Sequence, residues 1–295
     1  MIFIKNGLFI VNKPINWTSN DVIRKIKSLY KFNKIGHAGT LDPLATGILP
    51  ILINKATKYF DHFLKLDKTY LAEITFGYST NTFDLEGDII EKTDTLPQSI
   101  IEIQKKIVFF KGLIEQKPPI YSALKKNGKK LYEYARNNEE VIIDSRKVFV
   151  KNIEIIKWEN YKLLVKIDCS SGFYVRSFAN DFARSLNSLG VLSKLSRIKY
   201  GPYNLEDSNF DIEKIETLEE FILPIDSILK KYKSYVLSKD LEERYFQGHV
   251  FYDKDISPDI LKESELKIYN TKREFIGLLI YDSNKNFWKP KNIIT

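Results

Sequence analysis

The stretch from Val148 to Leu186 limits the folds open to this chain more than any other feature. Val148 to Trp158 and Tyr161 to Cys169 read as two strands joined at Glu159-Asn160, and the second sends Leu163, Val165, Ile167 and Cys169 toward one face. Ser170-Ser171-Gly172 then breaks the alternation. Val175, Phe178, Ala179, Phe182, Ala183 and Leu186 follow at i, i+3, i+4, i+7, i+8 and i+11, the spacing of an amphipathic helix. A hairpin running straight into such a helix needs a sheet face to bury the helical stripe, which predicts a mixed α+β fold. Arg176 falls in the first turn of that helix, where a cation gains nothing from the helix dipole, so another group must hold it.

The remaining pattern extends this fold. Leu8-Phe9-Ile10-Val11 predicts a buried strand ending in the Asn12-Lys13-Pro14 turn, and Thr18-Ser19-Asn20 offers N-caps for a helix carrying Val22, Ile23, Ile26, Leu29 and Tyr30. Ala56 to Leu64 reads as a short helix. Lys68 to Phe76 reads as a strand with Tyr70, Ala72, Ile74 and Phe76 on one face, and Gln98 to Phe110 as a helix. Val191 to Tyr200 predicts a strand, and Leu218 to Leu229 a helix. After Lys230-Lys231 the pattern changes to short strands and turns, so residues 1–231 are expected to form one large unit and 232–295 a small β-rich one.

No run of about 18 apolar residues exists, so no membrane span is expected. The start, MIFIKNGLFIVNKP, sets lysines inside its apolar run and reads as a strand rather than a signal peptide. Cys169 is the only cysteine, which rules out an intramolecular disulfide and fits a cytoplasmic protein. His37, His62 and His249 are scattered, which argues against a His- or Cys-ligated zinc; magnesium held by carboxylates stays open. A net charge of +8 favours polyanionic partners, although many basic proteins bind no nucleic acid. The region 116–146 combines Pro118-Pro119, the cluster from Lys125 to Lys130, and Tyr121, Tyr132 and Tyr134. That mixture suits an exposed arm that touches RNA backbone and stacks on bases, and equally a solvated helix and turn.

Chemistry points to Gly36-His37-Ala38-Gly39-Thr40-Leu41-Asp42-Pro43-Leu44-Ala45-Thr46-Gly47-Ile48-Leu49-Pro50. Its glycines and prolines predict a rigid, irregular loop whose backbone can approach a ligand closely. Asp42 is the sole acidic residue between Asp21 and Asp61, and its apolar neighbours should desolvate it and raise its pKa unless a cation compensates. Taken alone, Asp-Pro also reads as the start of an ordinary turn.

This run resembles the signature of the TruB family of tRNA pseudouridine-55 synthases. Further blocks are similar to that family in its order: VNKP with TSND, KTYLAEITFGYSTNTFDLEGD, PPIYSALKKNGKKLYEYAR, CSSGFYVRSFANDF, LSRIKYGPY and LPIDSIL. The resemblance implies that Asp42 is the catalytic aspartate and that Arg176 pairs with it. It further implies that Tyr70 packs against the target base, that Tyr174 touches substrate and that Leu195 lines an apolar pocket. By the same resemblance His37 meets bases around the flipped nucleotide, and Lys13 and Pro14 shape the pocket floor. Where many members carry a basic residue after the pocket leucine this chain has Ser196, with Arg197 one position later, which puts fine RNA contacts in doubt.

The family implies a pseudouridine-synthase catalytic domain over 1–231, with a mixed, mainly antiparallel sheet flanked by helices. A small PUA-like domain would follow over 232–295, where the segment ending in GLLIYDSNKNFWKPKNII is similar to its final hairpin. The implied activity isomerises a uridine of the tRNA T-arm, in a monomer needing no cofactor, metal or protein partner. Two other readings remain at this point. One is an RNA-binding protein without catalysis; the other is a glycoside- or nucleoside-cleaving hydrolase pairing Asp42 with Asp84, which lies in an open-looking Asn-Thr-Phe-Asp turn.

Overall fold

Asn160 and Tyr161 form the tip of the predicted hairpin with φ of 49° and 57°. Two successive positive φ values are what a two-residue hairpin loop needs to match the strand twist, so the turn begins one residue later than expected and takes Tyr161 out of the strand. The structure is a computed structural model that describes residues 6–207, 219–256 and 263–294; the expectations for residues 1–5 and for Leu218 lie outside these.

Seven strands make the main sheet: β1 (Gly7–Lys13), β2 (Ala45–Ile53), β3 (Lys68–Phe76), β4 (Gly112–Gln116), β5 (Arg146–Glu159), β6 (Lys162–Cys169) and β7 (Gly190–Tyr200). Their order is β1-β2-β7-β3-β6-β5-β4, and the short strands Ile35–His37 and Tyr203–Asn204 add to β2 and β7. Only β2 and β7 run parallel, over Ala45–Gly47 against Leu195–Arg197. The sheet is therefore mixed and mainly antiparallel, as expected.

Helices α1 (Ser19–Leu29), α2 (Ile100–Ile107) and α3 (Val175–Ser185) flank it. The Thr18 hydroxyl accepts from Asp21 N at 3.0 Å while Thr18 N donates to the Asp21 carboxylate at 2.8 Å, a capping box that starts α1. On α3 the whole predicted stripe is buried. Phe178 stacks on Phe182 at 5.6 Å, and Phe110 meets both rings edge-on at 5.5 Å. Each buried side chain of this size contributes roughly 1.5–3 kcal/mol by leaving water.

Two expectations fail for identifiable reasons. Gly36–Pro50 is not one irregular loop, because its second half enters β2, buried among β1, β7 and Ile35–His37. Pro50 is tolerated there because its carbonyl, facing the Ile35–His37 side, accepts from Ala38 N at 2.9 Å just outside the paired residues, so no ladder bond needs its missing N–H. The expected helix ending at Leu229 is reduced to two 3-10 turns, Glu219–Phe221 and Ile225–Ile228. Pro224 lacks an N–H and disfavours helical geometry at Leu223, which instead bridges to Leu8.

A second sheet follows, with β8 (Lys233–Val236), β9 (Glu265–Tyr269), β10 (Phe275–Asp282) and β11 (Phe287–Lys291) side by side and α4 (Lys239–Phe246) beside them. Trp288, Tyr245, Phe251 and Leu266 are fully buried in its own core. Leu278 reaches out of it to pack with Tyr59, Tyr200 and Ile225. At this seam the Tyr59 hydroxyl donates to Asn292 O at 3.0 Å, and that of Tyr269 to Asp226 at 2.5 Å.

Candidate active site

The parallel start of β2 decides where Asp42 lies. Ala45 pairs with Leu195, which has Ala72 on its other side, while Tyr70 sits opposite Arg197 on the next strand pair. Ala45 N donates to Asp42 O at 3.0 Å, so the aspartate precedes a central strand and stands over the Tyr70–Leu195 part of the sheet.

Three interior side chains hold this loop. The Ser19 hydroxyl donates to Leu41 O at 3.1 Å and accepts from Leu41 N at 2.9 Å. Lys13 is fully buried and donates to Pro14 O at 2.8 Å, Trp17 O at 2.5 Å and Pro43 O at 3.2 Å. Burial lowers its pKa to about 8, against the pull of the Asp42 and Glu86 charges. Arg197, 1% exposed, donates from Nε to Ile48 O at 2.7 Å and from Nη2 to Gly39 O at 2.8 Å. Gly47 lies against its backbone with φ of 101°, and a Cβ there would strike the Arg197 carbonyl.

Arg176 grips Asp42 with two donors, Nε to Oδ2 at 2.9 Å and Nη2 to Oδ1 at 3.2 Å. The same guanidinium donates to Tyr121 O at 2.8 Å and Thr82 O at 3.2 Å, and Asp84 Oδ2 lies 3.6 Å from its Nε. The partner that the dipole argument demanded is thus a pair of carboxylates and two carbonyls. The Arg176 side chain is 6% exposed and that of Asp84 2%, whereas Asp42 keeps 34% open. That third faces a cavity of about 540 Å³. Desolvation pushes the Asp42 carboxyl above the usual range and the Asp84 charge adds to it, while Arg176 and Lys13 oppose the rise.

Asp42, Tyr70, Tyr174, Arg176 and Leu195 all line this cavity, so five of the expected site residues meet. Tyr70 is buried, which raises the pKa of its hydroxyl, and Arg197 beside it works against the rise. Tyr174 is clamped by Gln116, which accepts from its N at 2.7 Å and donates to its O at 2.9 Å, and its ring lies 4.8 Å from the Arg146 guanidinium. Lys13 and His37 do not line it. Lys13 supports the loop from within, where the backbone carbonyls it holds leave no surface for a substrate contact. His37 ends the Ile35–His37 strand with a buried, unpartnered Nδ1, and burial together with the Arg197 charge lowers its pKa and keeps the ring neutral. Among the lining residues Asp42 is the single acid, against Lys65, Lys68, Arg146, Arg176 and Arg197.

Asp84 is not in an open turn. It is buried, accepting from the Thr82 hydroxyl at 2.5 Å and from Glu86 N at 3.0 Å. Arg197 reaches the cavity wall, but its Nε and Nη2 donate to the carbonyls of Ile48 and Gly39. No local pattern marks either role; only the unmet need of Arg176 hints at a further acid. In the 116–146 region a hairpin of Lys125–Lys126 with Lys129–Lys130 leads into the helix Leu131–Arg136. Its rings are already engaged, with Lys129 4.6 Å from the Tyr134 ring and both Lys130 and Arg136 5.3 Å from that of Tyr132. Its root is tied to the site through Tyr121 O and through Lys117 O, which accepts from Ser177 Oγ at 2.8 Å. Among the described residues no three His, Cys, Asp or Glu side chains gather to hold a metal ion, and no helix is long and apolar enough to cross a membrane.

Residues 27–175 match the model of the TruB family pseudouridylate synthases, N-terminal domain. The chain is similar to tRNA pseudouridine synthase B of Clostridium kluyveri, 36% identical across 96% of each chain. It is also similar to the proteins of that name from Caldanaerobacter subterraneus, 37% identical over 98% of this chain and 99% of the relative, and from Ureaplasma urealyticum, 46% identical over 73% and 94%. Its fold is like that of a chain in an H/ACA ribonucleoprotein bound to a substrate RNA containing 2'-deoxyuridine, with a TM-score of 0.68 at 19% identity over 98% of this chain and 84% of that one. A likeness at that identity speaks for the fold, whereas the family match and the near full-length relatives speak for descent: the chain belongs to the TruB family of pseudouridylate synthases.

Proposed function

We propose that this chain converts the uridine at position 55 in the T-loop of tRNA to pseudouridine, with Asp42 as its catalytic carboxylate. One observation carries the reading: Asp42 is gripped by Arg176 at 2.9 Å and 3.2 Å and turns its open third into a cavity whose other charged lining residues are all cations. The relatives named tRNA pseudouridine synthase B point to the same substrate class.

The reaction breaks the N1–C1′ bond and forms C5–C1′, with C5 losing a proton and N1 gaining one, so atoms balance without a donor or acceptor. Extruding a stacked base costs roughly a few kcal/mol, which contacts of Lys and Arg with phosphates and of Tyr70 and Tyr174 with the base offset. Asp42 acts ionised, as nucleophile or base, and the two-pronged guanidinium keeps it charged and aimed despite its desolvation. Tyr70 and Leu195 pack on the uracil and exclude water while it is detached. Position 55 follows from the family resemblance, with the 116–146 arm and the 232–295 unit, PUA-like, gripping the rest of a tRNA bound to a cytoplasmic monomer. A hydrolase would need a second acid at the substrate, and Asp84 does not line the cavity.

The test is to incubate purified protein with unmodified tRNA and map pseudouridine by chemical blocking. A single new site in the T-loop is expected. Free uracil as the product, or no modification, overturns the proposal.

A further inference from the structure

Among the described residues the second sheet sends none to the lining of the catalytic cavity, yet it holds a segment that does. Phe60, Leu64 and Lys65 line the cavity, on or just after the short helix Phe60–Leu64, which continues the 3-10 turn Asn54–Tyr59. Five residues are too few for a helix to persist unaided, and no side chain caps its start, so its place is set by what packs on it. From the main unit, Tyr200 Oη donates to Phe63 O at 3.0 Å and Lys68 Nζ to Leu64 O at 2.8 Å. Toward the second unit, Lys58 Nζ donates to Ile293 O at 2.8 Å, and His62 Nε2 meets Glu265 Oε2 at 3.3 Å.

Phe60 and Leu64, four positions apart, share one face of the helix, and His62, two positions from each, takes the opposite one. There it sits between the rings of Tyr59 at 5.8 Å and Tyr232 at 6.0 Å. Glu265 opens β9 and pairs with Ile280 of β10, which makes it a fixed point of the second sheet. Burial lowers the His62 pKa, with the Lys291 and Lys65 charges adding to the fall and Glu265 opposing it. The neutral ring donates from Nε2, and its buried Nδ1 has no partner. A phenylalanine would fill the same space without an unmet acceptor, so what the imidazole adds is its bond to Glu265. We propose that His62 is a positioning residue: through Glu265 it lets the second sheet fix the short helix whose other face walls the catalytic cavity. The inference rests on the tRNA reading above and adds to it how the small unit acts on the site.

The experiment measures saturating single-turnover rates and tRNA affinity in the full chain. It compares the parent with His62→Phe, Glu265→Ala, the double variant, and His62→Gln, which keeps an N–H donor toward Glu265. His62→Phe and Glu265→Ala should each lose roughly tenfold in rate as the loosened wall misplaces the substrate, with affinity near that of the parent. The double variant should lose no more than either alone, because both changes remove one bond, and His62→Gln should keep the parental rate. A parental rate in His62→Phe, or losses that multiply in the double variant, overturns the proposal. Hydrogen exchange without RNA gives a reading free of turnover: amides of residues 63–66 should exchange faster in both single variants. Unchanged exchange overturns the proposal. A parent that forms no pseudouridine, with faster exchange in the variants, defeats the functional reading and leaves the hold of Glu265 on the helix standing.

Discussion

Arg176 and Arg197 are both buried beside the Asp42 loop, yet they hold it by different groups. Arg176 meets carboxylates, Asp42 at 2.9 Å and Asp84 at 3.6 Å, at the edge of an open cavity. Arg197 meets the carbonyls of Ile48 and Gly39 at 2.7 Å and 2.8 Å, with its charge 4.8 Å from the Tyr200 ring. Carbonyls cannot change charge, so Arg197 secures the shape of the loop. A carboxylate can change charge, and under the proposed function Arg176 secures the protonation state and aim of Asp42. One arginine should therefore read out in catalysis and the other in stability.

The largest effect is expected from Asp42→Asn, which keeps the shape and removes the charge. Its single-turnover rate on tRNA should fall about 10³-fold or more while RNA affinity stays near that of the parent. Tritium release from C5-labelled uridine together with filter binding measures both, and near-parental turnover refutes the assignment. Next, Arg176→Lys should lose about 10²-fold in rate, since a point charge cannot reproduce two parallel donors and small misplacements are costly. Arg197→Met should instead lose roughly 2–5 kcal/mol in denaturant melts by orphaning two buried carbonyls, with a smaller change in rate per folded molecule. If both variants lose rate equally at parental stability, the contrast dissolves.

A subtler effect concerns pH. Desolvation raises the Asp42 pKa above its ordinary 3.8, and the proposed function needs the ionised form, so the rate should climb with pH through a midpoint above that value. Asp84 raises that pKa by like charge, so Asp84→Asn should move the midpoint downward. A rate–pH profile with an unmoved midpoint would limit Asp84 to positioning Arg176. The smallest effect is expected from Thr18→Ala, which opens the capping box of α1 and should cost about 1 kcal/mol in a thermal melt with the rate unchanged.

Much of the framework was legible because it is written in local spacing. The stripe of α3, the alternation of β3 and β6 and the cap at Thr18 each involve residues a few positions apart, and all appear as read. Where local signals competed, reading went astray. The glycines and prolines of Gly36–Pro50 suggested loop throughout, but burial between neighbouring strands made Ala45–Ile53 a strand. Apolar spacing suggested a helix up to Leu229, but Pro224 outweighed it. In the site, Asp42, Tyr70, Tyr174, Arg176 and Leu195 were found together, whereas Lys13 and His37 lie off the cavity.

By itself the sequence determined helices α1 and α3, strands β3 and β6, the need of Arg176 for a partner and the isolation of Asp42 among apolar neighbours, since each follows from residues adjacent in the chain. Tertiary structure decided how Arg176 meets Asp42 across 134 positions, a pairing that family resemblance implied and local spacing did not, and it alone decided that Asp84 is buried beside them and that Arg197 turns inward. These depend on the parallel pairing of β2 with β7, which brings distant backbone together, and no periodicity within either strand specifies that register.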